Sequence, residues 1–173
     1  MGLFDGIFKK MKGYNNYTKE DFATEDEDSL IDSAKIWVSF QIDNWEEELE
    51  IVMEFEEPLR IVYACTAVFD EVMNGGFNQF FFNSSARWIT VALKGFQALG
   101  LQELYDGLET AIEIYSENSS LLDAYNDGTI ESFSKSYELH IFDEVDALYS
   151  EQQDHYSDCL TKFIKENIHY FGN

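Results

Sequence analysis

Carboxylates dominate the side chains able to do chemistry in this sequence, and their spacing is more informative than their number. Glu46, Glu50, Glu54 and Glu57 follow one another at i, i+4, i+8 and i+11, and Asp106, Glu109, Glu113 and Glu117 form a second such row. Residues three and four apart share a helix face, so each set predicts a stripe of negative charge, with a pitch of about 6 Å per four residues. Trp45, Leu49 and Val52 lie opposite the first stripe; Leu104, Leu108 and Ile112 lie opposite the second. A DNA strand carries a charge about every 3.4 Å. One stripe is therefore a sparse copy of a phosphate backbone, and two or three side by side, or a pair of chains, approach its density.

Other chemistry is thinly provided. Adjacent acids such as Asp70 and Glu71 are too common here to mark an acid–base couple. His140, His155 and His169 are the only histidines, and Glu166 with His169 is the single Glu-x-x-His pair where a di-iron bundle needs two. Cys65 and Cys159 lack metal-ligand spacing and are expected as buried thiols. Nucleophile-elbow, zinc-protease, P-loop and dinucleotide glycine patterns are missing from the sequence. The expectation is a protein that is not an enzyme, with no metal and no cofactor.

The charge balance narrows the partner. Asp and Glu number 34 against 11 Lys and Arg, a formal net charge of −23. Repulsion on that scale opposes compaction and excludes nucleic acid as a direct ligand. Anionic membrane is disfavoured on the same grounds, and a basic protein is favoured. Between Lys35 and Arg60, and again between Lys94 and Lys135, there are eight acids and no base; between Lys135 and Lys162 there are seven. An ordinary solvated helix interleaves Glu with Lys. The alternative reading of this surface is solubility alone.

Positioning the acids requires helices. Aromatics at 16% and hydrophobic residues at 45% exclude a disordered acidic tail. The pattern predicts one all-α, multi-helix domain over 29–173, preceded by an appendage over 1–28 that is mobile or docked. Helices are expected over about 29–42 (Leu30, Ile31, Ala34, Trp37 and Val38 inward), from Asn44 as a capping box with Glu47, and from Pro58 to a stop at Asn74-Gly75-Gly76. Ile36, Val38, Phe40 and Ile42 also alternate as a strand would. Phe77–Phe82 is expected as a short aromatic segment. Ser84 or Ser85 should cap a helix ending at Gly100, followed by an amphipathic helix over 101–117, a loop over 118–129, weaker helices over 130–137 and 142–149, and a last helix over 151–170. Within the appendage, Leu3, Phe4, Ile7, Phe8 and Met11 share a helical face beside Lys9, Lys10 and Lys12; docking onto acidic surface is expected there in preference to membrane. No apolar run reaches signal-peptide or membrane-spanning length, so a cytoplasmic location is expected.

One motif stands apart: Asn74-Gly75-Gly76-Phe77-Asn78-Gln79-Phe80-Phe81-Phe82-Asn83-Ser84. Read structurally, it is a helix stop, a tight turn and an aromatic plug, with Asn78, Gln79 and Asn83 bonding loop backbone. Read functionally, the same amides line a polar ligand pocket, which a closed cavity at the motif would support and full packing would oppose.

Glu71 through Ser84, with Ala92-Leu93 and Gln97-Ala98-Leu99-Gly100, resembles the core of the bacterial DNA-mimic-protein-like domain family, specifically over about 59–101. The resemblance implies a mainly helical fold, and an acidic dimer that presents carboxylates as phosphate surrogates to a DNA-binding protein such as a transcription regulator. Asn74, Gly75, Gly76, Phe77, Asn78, Gln79, Asn83 and Ser84 are its structural signature. The partner-binding residues are expected among Glu46, Glu50, Glu54, Glu57, Asp106, Glu109, Glu113 and Glu117. Two rivals stand beside the mimic: an immunity- or antitoxin-like inhibitor of a basic toxin, and a ligand-binding domain centred on Asn74–Ser84.

Overall fold

The computed structural model describes residues 13–127 and 129–173, and every regular element among them is helical, as the spacing of apolar residues predicts. The α-helices are α1 (Lys19–Thr24), α2 (Glu27–Phe40), α3 (Glu48–Glu54), α4 (Glu57–Phe82), α5 (Ile89–Leu99), α6 (Gln102–Asp123), α7 (Ile130–Ser136), α8 (Asp143–Glu151) and α9 (Gln153–Glu166). Short 3-10 turns occupy Trp45–Glu47, Ser84–Trp88, Tyr137–Leu139 and Ile168–Tyr170. The apolar and cationic stretch from Leu3 to Lys12 lies outside the described residues. By contact the chain divides into two compact units, the first comprising the described residues to Tyr63 with Ser157–Asn173, the second Ala64–Tyr156.

In the first unit, Thr18 and Asp21 form a reciprocal capping box at α1, and Asp26 caps α2 by accepting from the Ser29 N–H at 3.1 Å. Phe22 lies in the core between Trp37 and Phe171, with ring centroids 6.0 and 5.7 Å away. The Asn173 N–H donates to the Tyr17 carbonyl at 2.9 Å. Residues 14–26 thus belong to this unit's packing, although their polar composition sets them apart in the sequence. Leu30, Ala34, Trp37 and Val38 are buried at helical spacing in α2, which settles the alternation at 36–42 in favour of helix. Leu160 and Ile164 are buried from α9, with Phe163 and Ile168 half-buried.

The expectation fails at Trp45, which stands 58% exposed. The Asn44 side chain accepts from the Glu46 N–H at 3.1 Å, and that short reach opens a 3-10 turn where an α-helix with a Glu47 box was expected. The α-helix begins only at Glu48, by which point Trp45 has rotated off the inner face and Val52 alone is fully buried. Leu49 and Phe55 are half-buried.

In the second unit, α6 contributes Leu104, Leu108, Ala111 and Leu122 to the core, with Ile112 and Tyr115 half-buried. The helix continues six residues beyond Glu117, through what reads in sequence as a loop. Asn118 Nδ2 donates back to the Ile114 carbonyl at 2.8 Å and Ser119 Oγ to the Ser116 carbonyl at 3.2 Å, so these polar residues spend their side chains on the helix itself while Leu122 anchors its end. Gly107 lets α8 approach closely: a Cβ there would lie 2.8 Å from Leu148 Cδ2. Tyr149 fills that contact and donates from its buried hydroxyl to the Leu104 carbonyl at 2.9 Å. Phe69 stacks between Tyr156, at 3.8 Å, and Tyr149, at 5.8 Å. Gly100 closes α5 in the left-handed conformation at φ 74°, as its position predicts.

Candidate partner-binding surface and the glycine break

The eight acidic residues singled out by spacing are all exposed, and among the described residues none forms an ion pair. The two rows nevertheless differ in kind. Glu46 lies in the 3-10 turn, Glu50 and Glu54 in α3, and Glu57 begins α4. The single helical register expected for this row is therefore broken. Pro58 fits the break: in a continuous helix its ring would clash with the carbonyl of Glu54, and it has no N–H to donate to it. Phe55 accordingly turns extended, with ψ 157°. Glu46, Glu50 and Glu57 each fall in the first turn of an element, where a carboxylate favours the helix dipole.

Asp106, Glu109, Glu113 and Glu117 keep their register on one uninterrupted helix, spanning about 17 Å of axis at 1.5 Å per residue. None of the four lies in the first turn of α6, and no base occupies its last turn. The supporting bonds come from neutral neighbours. Gln102 Nε2 donates to Asp106 at 2.7 Å, and the Tyr105 hydroxyl donates to Glu109 at 2.9 Å, a bond that raises the Tyr105 hydroxyl above its ordinary pKa. Helix α6 is held by its buried face, and its outer face adds like charges that i,i+4 spacing penalises slightly.

The signature motif is a break inside α4 and not its end. Gly75 has φ −155° and Gly76 has φ 68° with ψ −180°, after which Phe77–Phe82 resumes as helix. The aromatic segment is thus helical, with Phe77 and Phe80 fully buried. Breaking the ladder frees a carbonyl and an N–H, and both find partners. The Tyr137 hydroxyl donates to the Gly75 carbonyl at 2.8 Å, and the Phe77 N–H donates to Asp146 Oδ1 at 2.8 Å. A Cβ on Gly76 would run into the Asp146 carboxylate, so positive φ and close approach both require glycine there. Burial pushes the Asp146 carboxyl above the usual carboxylate range, with the Phe77 N–H opposing and Asp143 adding to the shift.

The motif amides bond side chains, where loop backbone was expected. Gln79 Nε2 and Asn83 Nδ2 both donate to Glu71 Oε1 at 2.6 Å, and Ser85 Oγ donates to Glu71 Oε2 at 3.2 Å. Eight residues of unbroken helix would separate Glu71 from Gln79 by about 12 Å; the break folds them together. Ser85 is spent on this clamp, and neither Ser84 nor Ser85 caps the next helix: a 3-10 turn intervenes after Asn83, and α5 starts at Ile89 without a side-chain cap. Asn78, buried, donates from Nδ2 to Ser136 Oγ at 2.6 Å. Asn74, Asn83 and Ser84 are exposed. Glu71, Ser136, Tyr137 and Asp146 complete the motif, in roles that sequence reasoning missed; an excess of acids hides which two accept the bonds that hold the break.

No closed pocket joins Asn78, Gln79 and Asn83 among the described residues. Asn78 borders a cavity of about 20 Å³, the scale of one water. Gln79 and Asn83 border an open groove of about 270 Å³ that also involves Phe82, Tyr125, Ile130 and Phe133. Cys65 is fully buried, which pushes its thiol well up and away from reactivity. Among the described residues no group of three or more His, Cys, Asp or Glu is placed to hold a metal ion. Glu166 pairs with Lys162 at 3.9 Å and His169 packs on Tyr170, and both are exposed. No described helix is long and apolar enough to cross a membrane.

Neither a curated protein nor a solved structure matches the chain. A protein-family model does: that of the DMP19-like protein matches residues 53–167, a span containing the whole α6 row and the glycine break but not Glu46 or Glu50. With more than half of its length matched, the chain belongs to the DMP19-like protein family.

Proposed function

We propose that this protein is a non-enzymatic DNA mimic: the carboxylates of α6 take the place of phosphates and occupy the nucleic-acid-binding surface of a basic partner, a DNA-binding regulator. The observation that carries the reading is the row Asp106, Glu109, Glu113 and Glu117, continuous, exposed and free of ion pairs among the described residues. A carboxylate at the start of a helix is favoured by the helix dipole; these four lie beyond the first turn and are not. Membership of a family that suggests a DNA-mimic role supports it, and a basic nucleic-acid-binding protein complements a net charge of −23. One row is sparser than a phosphate backbone, so pairing of two chains in a homodimer is part of the proposal. The donor groups of the motif amides add no support to a ligand-binding role, because those of Gln79 and Asn83 are taken by Glu71 and that of Asn78 by Ser136.

The test is native co-purification at low salt on the immobilised protein, with elution in a salt gradient and competition by duplex DNA. A basic protein that elutes with rising salt and is displaced by duplex supports mimicry, because exposed charges are screened beyond about 8 Å at physiological ionic strength. Binding that is indifferent to salt, or to duplex, overturns it.

A further inference from the structure

The acidic row of α6 does not simply end. Four residues after Glu117, in the same register, stands Leu121, exposed to 44%. Just past the helix end, Tyr125 borders the open groove of about 270 Å³, which Phe82, Ile130 and Phe133 line together with the polar Gln79, Asn83, Asn126 and Thr129. Ile130 is the most exposed large hydrophobic residue described, at 84%, although it opens α7 and could have been any polar residue without disturbing the core. The groove floor is built: Phe82 and Phe133 meet edge to face at 5.0 Å, and Phe133 meets Tyr137 at 5.3 Å. The Gln79–Glu71–Asn83 clamp of the glycine break holds the rim on the α4 side. All of this lies within the second unit.

We infer that this groove is the apolar end of the partner-binding surface, and that it receives one large apolar side chain (Phe, Leu, Ile or Met) projecting beside the lysines and arginines of the basic partner. The inference rests on the mimic reading. Its own grounds are that the helix carrying the anionic row runs on past exposed Leu121 to an end beside which Tyr125 and exposed Ile130 line one open groove. The volume is below the roughly 300–1,000 Å³ of pockets that enclose drug-sized ligands, and the groove is open, so it suits a side chain and not an enclosed small molecule. Charge selects the occupant's surroundings: Asp123, Asp127 and Glu131 flank the groove in sequence, and the only nearby base, Lys135, is paired with Glu131 at 2.8 Å. DNA-binding proteins that kink the duplex carry such a side chain, an apolar wedge pushed between base steps from within a basic surface. A mimic that offers carboxylates alone would match the phosphates and leave the wedge in water; a groove at the end of the row gives it a place. Interfaces in general draw specificity from a buried apolar anchor inside a polar rim.

The experiment uses the full chain and two synthetic helical peptides with the same lysine and arginine face, one carrying Phe at a central position beside that face and the other Ala. Fluorescence anisotropy is measured at low and at physiological salt. Both peptides should bind at low salt and weaken as salt rises, while the Phe peptide keeps an advantage of about tenfold at each salt concentration, equivalent to about 1.4 kcal/mol. Ile130→Ser with Leu121→Gln, both at exposed positions, should erase that advantage and leave binding of the Ala peptide unchanged. Equal affinity for the two peptides in the wild type, or an advantage that survives the double variant, overturns the groove while leaving the acidic row intact. Failure of either peptide to bind at low salt counts against the mimic reading itself, and the groove falls with it.

Discussion

The two acidic rows look alike in sequence and are different objects in the structure. In the first, Glu46, Glu50 and Glu57 each sit in the opening turn of a separate element, where a negative charge offsets the dipole of the helix it begins. Local helix chemistry accounts for them. In the second, four carboxylates ride the middle of one 22-residue helix whose first turn holds Glu103 alone and whose last turn holds no base. The helix dipole does not account for these, only Asp106 and Glu109 accept a bond from a neighbouring turn, and their like-charge neighbours weaken the helix slightly. What the contrast teaches is that charge spacing identifies a candidate surface only after the helix boundaries are known. A carboxylate that stabilises its own helix is poor grounds for a binding site; one that does not is better.

The largest effect should come from reversing the charge of each row in turn. Glu109→Lys, Glu113→Lys and Glu117→Lys together should reduce affinity for a lysine- and arginine-rich peptide by a hundredfold or more at low salt, about 2.7 kcal/mol, with the far-ultraviolet circular dichroism unchanged. Glu46→Lys, Glu50→Lys and Glu54→Lys should cost less than about tenfold in the same titration. Equal losses from the two triples would dissolve the distinction between the rows.

Next in size is the glycine break, which positions the elements around α6. Gly76→Val forces a β-branched residue to a positive φ, worth roughly 1–3 kcal/mol in strain, and drives its Cβ into Asp146. Urea denaturation should show that loss or global unfolding. Gly75→Ala crowds the Gln79 side chain but stands at φ −155°, extended backbone that alanine adopts without strain, and should destabilise less. If Gly76→Val is as stable as wild type but no longer binds the basic peptide, the motif belongs to the binding surface and not to the scaffold.

A smaller pair of substitutions sharpens the dipole argument. Asp123→Lys places a base in the last turn of α6 and should stabilise by about 0.3–1 kcal/mol, whereas Glu50→Lys places one in the first turn of α3 and should destabilise by a similar amount. Thermal melts of the two single variants read the opposite signs directly; shifts in the same direction would show that net charge outweighs position.

The smallest effect is the pH dependence contributed by Asp146. Its carboxyl in the folded state is held above the ordinary aspartate value, chiefly through burial. The folded state therefore binds this proton more tightly than the unfolded chain, and the associated stability is fully present below about pH 3.8 and is lost as pH rises through the folded value. Asp146→Asn keeps an oxygen for the Phe77 N–H and removes the titration. Stability measured from pH 3.5 to 7 should fall less, or rise more, in the variant than in wild type; parallel curves would remove Asp146 as a contributor.

Helical character, the buried faces of α2, α6 and α9, and the cap at Gly100 were legible in the residue pattern because each depends on neighbours within a turn or two. The stop at Gly75-Gly76 was legible as a departure from helix, but not the resumption at Phe77, which depends on Asp146 and Tyr137 sixty to seventy residues away. The extension of α6 past Glu117 depends on burying Leu122, and the exposure of Trp45 depends on where the Asn44 cap starts its turn. Local sequence set the net charge, the two rows and the kinds of element that carry them, since spacing and propensity act over a few residues. Only tertiary structure decided which row stays whole, which acids (Glu71 and Asp146) are spent holding the glycine break, and that an open groove with an aromatic floor stands past the end of α6, because each of these depends on residues far apart in the chain meeting in space.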